Sequence, residues 1–224
     1  MISGIRRAAW FPYVTPFAVF ILFLVIGPNL GLGIWEFPLR VLALALTLYF
    51  CSRHVIAWTA PYAMGSILMG AAVFVLWVAP DFLWPTYRQH WLFSNSITGP
   101  VASSLPAGFQ MDPTALVFRT IRAAILVPII EELFWRAWLM RWLINQDFLK
   151  VPLGAYQTSS FLITAVLFAS EHGPYWDVGL LTGLLYNWWM VRTRSLGDCI
   201  LAHAVTNAIL SAYVIWGGHW EYWL

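Results

Sequence analysis

The chain has 224 residues, of which 61% are hydrophobic and only 10% are charged, and its mean hydropathy is +0.72. A soluble domain carries roughly a quarter charged residues, so the composition excludes an ordinary soluble protein. The formal net charge of +2 gives no reason to expect nucleic acid as a partner.

Apolar stretches long enough to cross a bilayer core as a helix, roughly 20 residues each, recur along the chain. Backbone polar groups must be satisfied within lipid, and these stretches are continuous rather than alternating, so helices are favoured over a barrel. We therefore predict an all-α polytopic bundle of about seven spans, in a range of roughly six to eight, surrounded by the lipid bilayer. The whole chain, residues 1–224, is predicted to form a single membrane domain.

The predicted helices cover, in chain order, residues 12–34, 38–52, 54–79, 114–145, 157–172, 175–191 and 196–216. Between the third and fourth helices, residues 80–112 are rich in proline and aromatic side chains. We predict that this segment is a loop at the membrane interface, where Trp and Tyr are enriched. For the same reason the C-terminal GGHWEYWL is predicted to be an interfacial aromatic anchor.

The distribution of basic residues predicts the orientation, because cytoplasmic loops carry an excess of Lys and Arg. With seven spans and the N-terminus inside, the cytoplasmic side receives most of the basic residues: Arg6, Arg7, Arg53, Arg136, Arg141, Lys150, Arg192 and Arg194. The opposite side receives Arg40, Arg88, Arg119 and Arg122. We therefore predict that the N-terminus is inside and the C-terminus outside.

Three charged residues interrupt the fourth apolar segment in the stretch PIIEELFWR, namely Glu131, Glu132 and Arg136. Charged side chains inside a membrane are costly and mark a functional site by default. The two carboxylates follow Arg122 by about nine residues, which places them roughly 13 Å below the outer membrane boundary. Glu132 and Arg136 are spaced to form an ion pair along a helix. Such a pair leaves the carboxylate of Glu131 unexplained.

Two later helices carry further polar residues at a similar predicted depth. His172 ends an apolar helix, whereas His203 and Asn207 share one face of the last helix because they are four residues apart. Taken singly, His172 is explained as a hydrogen-bonded packing residue, and His203 with Asn207 as polar contacts between helices. Their coincidence with the two carboxylates predicts an active site within the membrane instead.

The remaining reactive side chains carry weaker signals. Glu171 is predicted to be an interfacial residue, and Cys51 and Cys199 are predicted to be small core residues rather than a disulfide or a metal pair. The other histidines are predicted to be surface residues: His54, His90 and His219.

Three motifs occur in order on successive predicted helices: Glu131-Glu132-x-x-x-Arg136, Phe168-x-x-x-His172 and His203-x-x-x-Asn207. Together they resemble the CAAX protease and bacteriocin-processing (CPBP or Abi) family of intramembrane endopeptidases. The resemblance covers roughly residues 114–216, which would be the catalytic core helices. Length and hydropathy resemble a prokaryotic branch, some members of which accompany exosortase protein-sorting systems. We therefore expect an integral protein of a prokaryotic cytoplasmic membrane.

The resemblance implies an endopeptidase that hydrolyses membrane-associated peptides or proteins, including lipidated substrates or substrates with C-terminal signals. Glu131 and His172 would activate water, since a desolvated carboxylate can serve as a general base near neutral pH. His203 and Asn207 would stabilise the oxyanion. The remaining motif residues would orient and electrically balance the site: Glu132 and Arg136.

The same residues also allow a metal mechanism, and the family includes proteins described in both ways. Glu131, His172 and His203 would supply the two-histidine, one-carboxylate ligand set of catalytic zinc, with an open fourth position. The chain contains no HExxH motif, which excludes the compact zincin arrangement. The favoured mechanism requires no cofactor, and Zn²⁺ is the alternative.

Two other classes of function use the same polar cluster. Glu and His side chains in the middle of a membrane can relay protons or cations in a transporter. Many transporters show inverted repeats, and no such repeat is visible in the sequence. A non-catalytic membrane immunity or scaffold protein is the third class.

Overall fold

The computed structural model describes residues 8–223, and within that range the chain forms seven helices and no strand. The helices are α1 (Phe11–Ile26), α2 (Gly33–Ser52), α3 (Ala63–Leu83), α4 (Pro113–Trp142), α5 (Thr158–Ser170), α6 (Trp176–Thr193) and α7 (Leu196–Gly217). The predicted all-α bundle is confirmed. Arg6 and Arg7, which contribute to the predicted orientation, lie outside the described residues.

Each of the seven predicted spans matches one helix, but the helices differ in length. In the described part of the chain, α2, α3, α4 and α7 are long and apolar enough to cross a membrane, whereas α1 and α5 are shorter apolar helices. The chain is therefore an integral membrane protein with a helical bundle.

Two helix boundaries differ most from their predicted positions. The first helix ends at Ile26 because the chain then turns through Gly31 and Gly33, whose φ angles of 61° and 54° are easily adopted only by glycine. The third helix begins at Ala63 rather than near residue 54. Residues before Pro61 are non-helical, in line with the restriction that proline imposes on the preceding residue.

Helix α4 is irregular on both sides of the two adjacent carboxylates. A regular segment, Val127–Glu132, lies between two π-helical segments, Arg122–Leu126 and Leu133–Leu139. Pro128 lacks an amide hydrogen, and its ring crowds the carbonyl one turn earlier, so the first widened turn relieves a clash. Widened turns of this kind occur frequently at functional sites.

Helices α3 and α7 pack closely enough to exclude a side chain between them. A Cβ atom at Gly70 would lie 2.4 Å from the carbonyl oxygen of Ala202. The hydroxyl of Thr206 donates to the carbonyl of Gly70 at 2.8 Å, and the hydroxyl of Ser66 donates to Asp198 at 2.7 Å. These contacts fix the position of α7, which carries the last of the three motifs.

The end of the C-terminal segment packs against the bundle, whereas Gly217 and Gly218 are exposed. Its role as an interfacial anchor stays a prediction. Tyr222 and Trp223 are both buried. The amide of Ser104 donates to the carbonyl of Trp223 at 2.8 Å, and the guanidinium of Arg119 lies 5.0 Å from the Trp223 ring centroid. Trp223 is held in its buried position because its backbone and its ring have polar and cationic partners there.

The loop between α3 and α4 is anchored by a buried arginine. Arg88 forms ion pairs with Asp81 and Asp177 and donates to the carbonyl of Pro174 at 2.9 Å. These partners belong to α3, to α6 and to the turn before α6, so the loop is tied across one end of the bundle. Its location at the membrane interface stays a prediction.

The cysteines and the remaining histidines follow the predictions only in part. Cys199 is fully buried in the core, whereas Cys51 is only half-buried. His54 and His90 are exposed as predicted, but His219 is half-buried.

Candidate functional site

A cavity of about 230 Å³ lies within the bundle and brings together residues from distant parts of the chain. Four of the six predicted site residues line it: Glu131, His172, His203 and Asn207. Apolar side chains such as Phe20, Trp77 and Phe168 form much of the remaining wall. The cavity therefore combines a few polar groups with an apolar lining, which is typical of a binding or active site.

Glu131 projects into this cavity from the regular turn of α4. The residue is only 5% exposed, and its Oε2 atom is buried with no hydrogen-bond partner within residues 8–223. Buried polar atoms are nearly always satisfied, so this oxygen is available to a water molecule or a ligand.

Glu132, the next residue, has a different environment. Its Oε1 atom accepts hydrogen bonds from Arg136 Nη1 and from His203 Nδ1, both at 2.9 Å. The Glu132 and Arg136 side chains are completely inaccessible to solvent. Arg136 also donates to Asn187 Oδ1 at 3.1 Å and lies 4.6 Å from the ring centroid of Phe168. The ion pair suggested by the four-residue spacing is therefore present, and it lies behind the cavity rather than in its lining.

His172 lies just after α5, in the turn that leads to α6. Its Nδ1 atom donates to the carbonyl oxygen of Phe168 at 2.7 Å, since a carbonyl can only accept. In the neutral ring Nε2 is then the acceptor nitrogen. The ring packs against Trp77, and a Cβ atom at Gly179 would lie 3.2 Å from its Cγ. Glycine at that position therefore leaves room for the imidazole.

His203 and Asn207 project from one face of α7 into the same cavity. Because Nδ1 of His203 is bonded to Glu132, only its Nε2 remains for another partner. Asn207 donates one amide hydrogen to the carbonyl of Ala123 at 2.9 Å, which leaves its second amide hydrogen available. Asn207 thus offers a donor, whereas Nε2 of His203 accepts in the neutral ring and donates only in the protonated ring.

The proposed zinc ligands do not fit a metal centre as they are arranged. Within residues 8–223, no three His, Cys, Asp or Glu side chains are grouped so that they could hold a metal ion. Glu131, His172 and His203 share a cavity wall without forming such a group. We therefore assign no catalytic step to a metal.

Sequence reasoning missed several residues of this site. Glu171 is exposed, which agrees with the predicted interfacial position, but it also lines the cavity and accepts a hydrogen bond from Trp135 Nε1 at 3.0 Å. Its position directly before His172 is the sequence signal that could have identified it. From the sequence, Arg122 was placed at the outer membrane boundary. In the structure it is buried and lines the cavity together with Arg119. The polar site therefore extends along α4 towards its N-terminus.

Residues 113–209 match a family model described as type II CAAX prenyl endopeptidase Rce1-like. This segment is therefore similar to the type II CAAX prenyl endopeptidases. The matched segment contains all three motifs, so the predicted resemblance is confirmed over the part of the chain on which it was based. A search of curated proteins and a search of solved structures found no match.

Proposed function

We propose that the protein is an intramembrane endopeptidase that cleaves membrane-associated peptides or proteins. The observation that carries this proposal is the common cavity lined by Glu131, His172, His203 and Asn207, all within the segment that matches the Rce1-like family model. Peptide hydrolysis needs a carboxylate that acts as a base, a histidine that can accept a proton, and two further hydrogen-bond donors.

In the proposed reaction Glu131 is the general base. A water molecule bound between Glu131 and Nε2 of His172 loses one proton to the carboxylate, and its oxygen attacks the carbonyl carbon of the scissile bond. When the tetrahedral intermediate collapses, the C–N bond breaks and the proton passes from Glu131 to the leaving nitrogen. The products are a carboxylic acid and an amine, so no other reactant is needed.

His203 and Asn207 would stabilise the oxyanion of the intermediate. Asn207 offers its second amide hydrogen, and His203 offers a hydrogen on Nε2 when its ring is protonated. Glu132 holds that ring through its bond to Nδ1, and Glu132 is held in turn by its ion pair with Arg136. The buried ion pair therefore acts on the reaction indirectly, through His203.

Substrates would enter the cavity from the lipid. Leu24 lines the cavity and is 42% exposed on α1, so the wall beside α1 is thin and apolar. Such an entrance suits a lipidated or membrane-tethered segment better than a soluble peptide. We place the protein in a prokaryotic cytoplasmic membrane with its N-terminus inside, as the distribution of basic residues favours.

The test is Glu131→Gln, which keeps the shape of the side chain but removes the base. A deletion strain would be complemented with the wild type, with Glu131→Gln or with Asp147→Asn, a matched change on an exposed loop residue. Proteomics of peptide termini in the membrane fraction would identify uncleaved substrates. We expect these to accumulate with Glu131→Gln as in the deletion strain, and to disappear with Asp147→Asn.

Full processing by Glu131→Gln would contradict the assignment of the base. If Glu131→Gln instead abolished cation flux into vesicles while processing continued, the transporter hypothesis would replace the protease. Equal amounts of each variant in the membrane are the control for folding and insertion.

A further inference from the structure

Arg122 is a buried cation with no counterion of its own. It begins the first π-helical segment of α4, is 8% exposed and lines the same cavity as Glu131. Within the described part of the chain its side chain makes no hydrogen bond and no ion pair. Buried charges are normally paired, so the five donors of this guanidinium point to an anionic ligand.

The charged side chains around Arg122 do not neutralise it. The charges that act on it are those of Arg119, Arg40 and Glu36. Glu36, the only carboxylate in this set, is already paired with Arg40. Arg119 lines the cavity too and donates to the hydroxyl of Ser104 at 2.7 Å. Among residues 8–223, Arg122 is therefore the cation at this end of the cavity whose charge no carboxylate pairs, opposite in sign to Glu131.

We propose that Arg122 is a specificity-determining residue that binds a carboxylate of the substrate while Glu131 acts on the scissile bond. This inference rests on the proposed function. A guanidinium matches a carboxylate through two parallel hydrogen bonds. Nine residues of helix separate the two side chains, a distance of roughly 13 Å. An extended peptide spans this distance with about four residues. The carboxylate is either the C-terminus of the substrate or an Asp or Glu side chain.

The test measures peptide binding to the full chain in nanodiscs of phosphatidylcholine, a lipid without net charge. Glu131→Gln serves as the background so that no peptide is hydrolysed during the measurement. Three fluorescent, N-acylated apolar peptides of one sequence would be compared: one with a free C-terminus, one with a C-terminal amide, and one amide that carries an Asp near its end. Fluorescence anisotropy gives the Kd of each peptide, and binding needs no catalysis.

We expect one of the two charged peptides to bind roughly 10- to 100-fold more tightly than the neutral amide, as two charge-assisted hydrogen bonds imply. A preference for the free C-terminus identifies a terminal carboxylate, and a preference for Asp identifies a side chain. Adding Arg122→Gln should reduce the ratio to about one, whereas Arg122→Lys should retain part of it. Arg192→Gln, on an exposed residue at the end of α6, should leave the ratio unchanged.

Equal binding of all three peptides to the protein with Arg122 would overturn the proposal, as would a preference that persists in Arg122→Gln. A purely structural role for Arg122 predicts a lower thermal midpoint with an unchanged binding ratio. If Arg122→Gln does not fold, the binding ratio in Arg122→Lys decides the question. A reduced ratio supports the proposal, because Lys cannot form the two parallel hydrogen bonds of a guanidinium. An undiminished ratio overturns it. Cleavage by Glu131→Gln in cells would refute the proposed function without changing this binding result.

Discussion

His203 donates its Nδ1 hydrogen to Oε1 of Glu132 over 2.9 Å, although 71 residues separate them. This bond ties α7 to α4 at the level of the two adjacent carboxylates. Glu132 therefore orients a histidine and pairs with an arginine through Oε1 behind the cavity, while Glu131 lines the cavity. The Oε2 atom of each is buried without a hydrogen-bond partner within residues 8–223. Two neighbouring glutamates thus have different environments, which suits a division between support and catalysis.

Breaking the buried ion pair should destabilise the protein strongly. Glu132→Gln leaves the guanidinium of Arg136 buried without its counterion, and we expect a loss of about 3–5 kcal/mol in the free energy of unfolding. Denaturant unfolding in detergent measures this loss. Replacing Arg136 with Met in the same chain should recover part of it, because no unpaired charge then remains.

The control for this prediction is Lys150→Gln. Lys150 and Asp147 form an exposed pair, and such pairs contribute little to stability. Similar losses for Lys150→Gln and Glu132→Gln would mean that the buried position of Glu132 has no special role.

The substitution His203→Asn should affect catalysis without affecting folding. The amide nitrogen of Asn reaches about the position of Nδ1, so His203→Asn can keep the bond to Glu132, but it has no group at the position of Nε2. We expect a near-normal thermal midpoint together with a large loss of cleavage. His203→Ala should lose both. Cleavage at the wild-type rate by His203→Asn would exclude Nε2 from the reaction.

Removing the amide of Asn207 should slow the chemical step. A single oxyanion donor contributes about 10²- to 10³-fold to kcat, so Asn207→Ala should reduce kcat by that factor with little change in KM. Steady-state kinetics on a substrate identified by the proteomic experiment tests this expectation. Asn145→Ala, on an exposed loop residue, is the matched control. A change confined to KM would indicate that Asn207 binds substrate in its ground state instead.

The favoured mechanism requires no metal, and purified protein can test that requirement. We expect elemental analysis to find metal well below one equivalent per chain, and cleavage to survive treatment with a chelator. Stoichiometric zinc, with activity lost on chelation and restored by zinc, would establish the alternative ligand set of Glu131, His172 and His203. That result would also require these three side chains to approach one another more closely than in this structure.

The close contact between α3 and α7 should not tolerate a methyl group. In Gly70→Ala the added Cβ would lie 2.4 Å from a backbone oxygen, which cannot move aside easily. We expect a loss of about 1–3 kcal/mol, the range for overpacked cores. Gly108→Ala, where the added atom meets nothing within 4 Å, is the control. Thermal unfolding of both variants side by side measures the difference.

The parts of the site that could be predicted from sequence are those in which both residues lie on one helix. The spacing of Glu132 and Arg136 predicts their ion pair, and the spacing of His203 and Asn207 predicts their common face, because a helix repeats every 3.6 residues or so. That Glu171 and Arg122 line the cavity was not predicted from sequence. Both lie near the end of a predicted apolar stretch, where a charged side chain can equally well face the membrane surface.

The sequence alone determined that the chain crosses a membrane as helices and which polar residues interrupt them, since hydrophobicity and helical periodicity are local properties. Only the tertiary structure decided which of two adjacent glutamates faces a cavity, that Arg122 shares that cavity, and that Trp223 is buried beside Arg119. These outcomes depend on how distant helices rotate and pack against one another, and no spacing along a single segment contains that information.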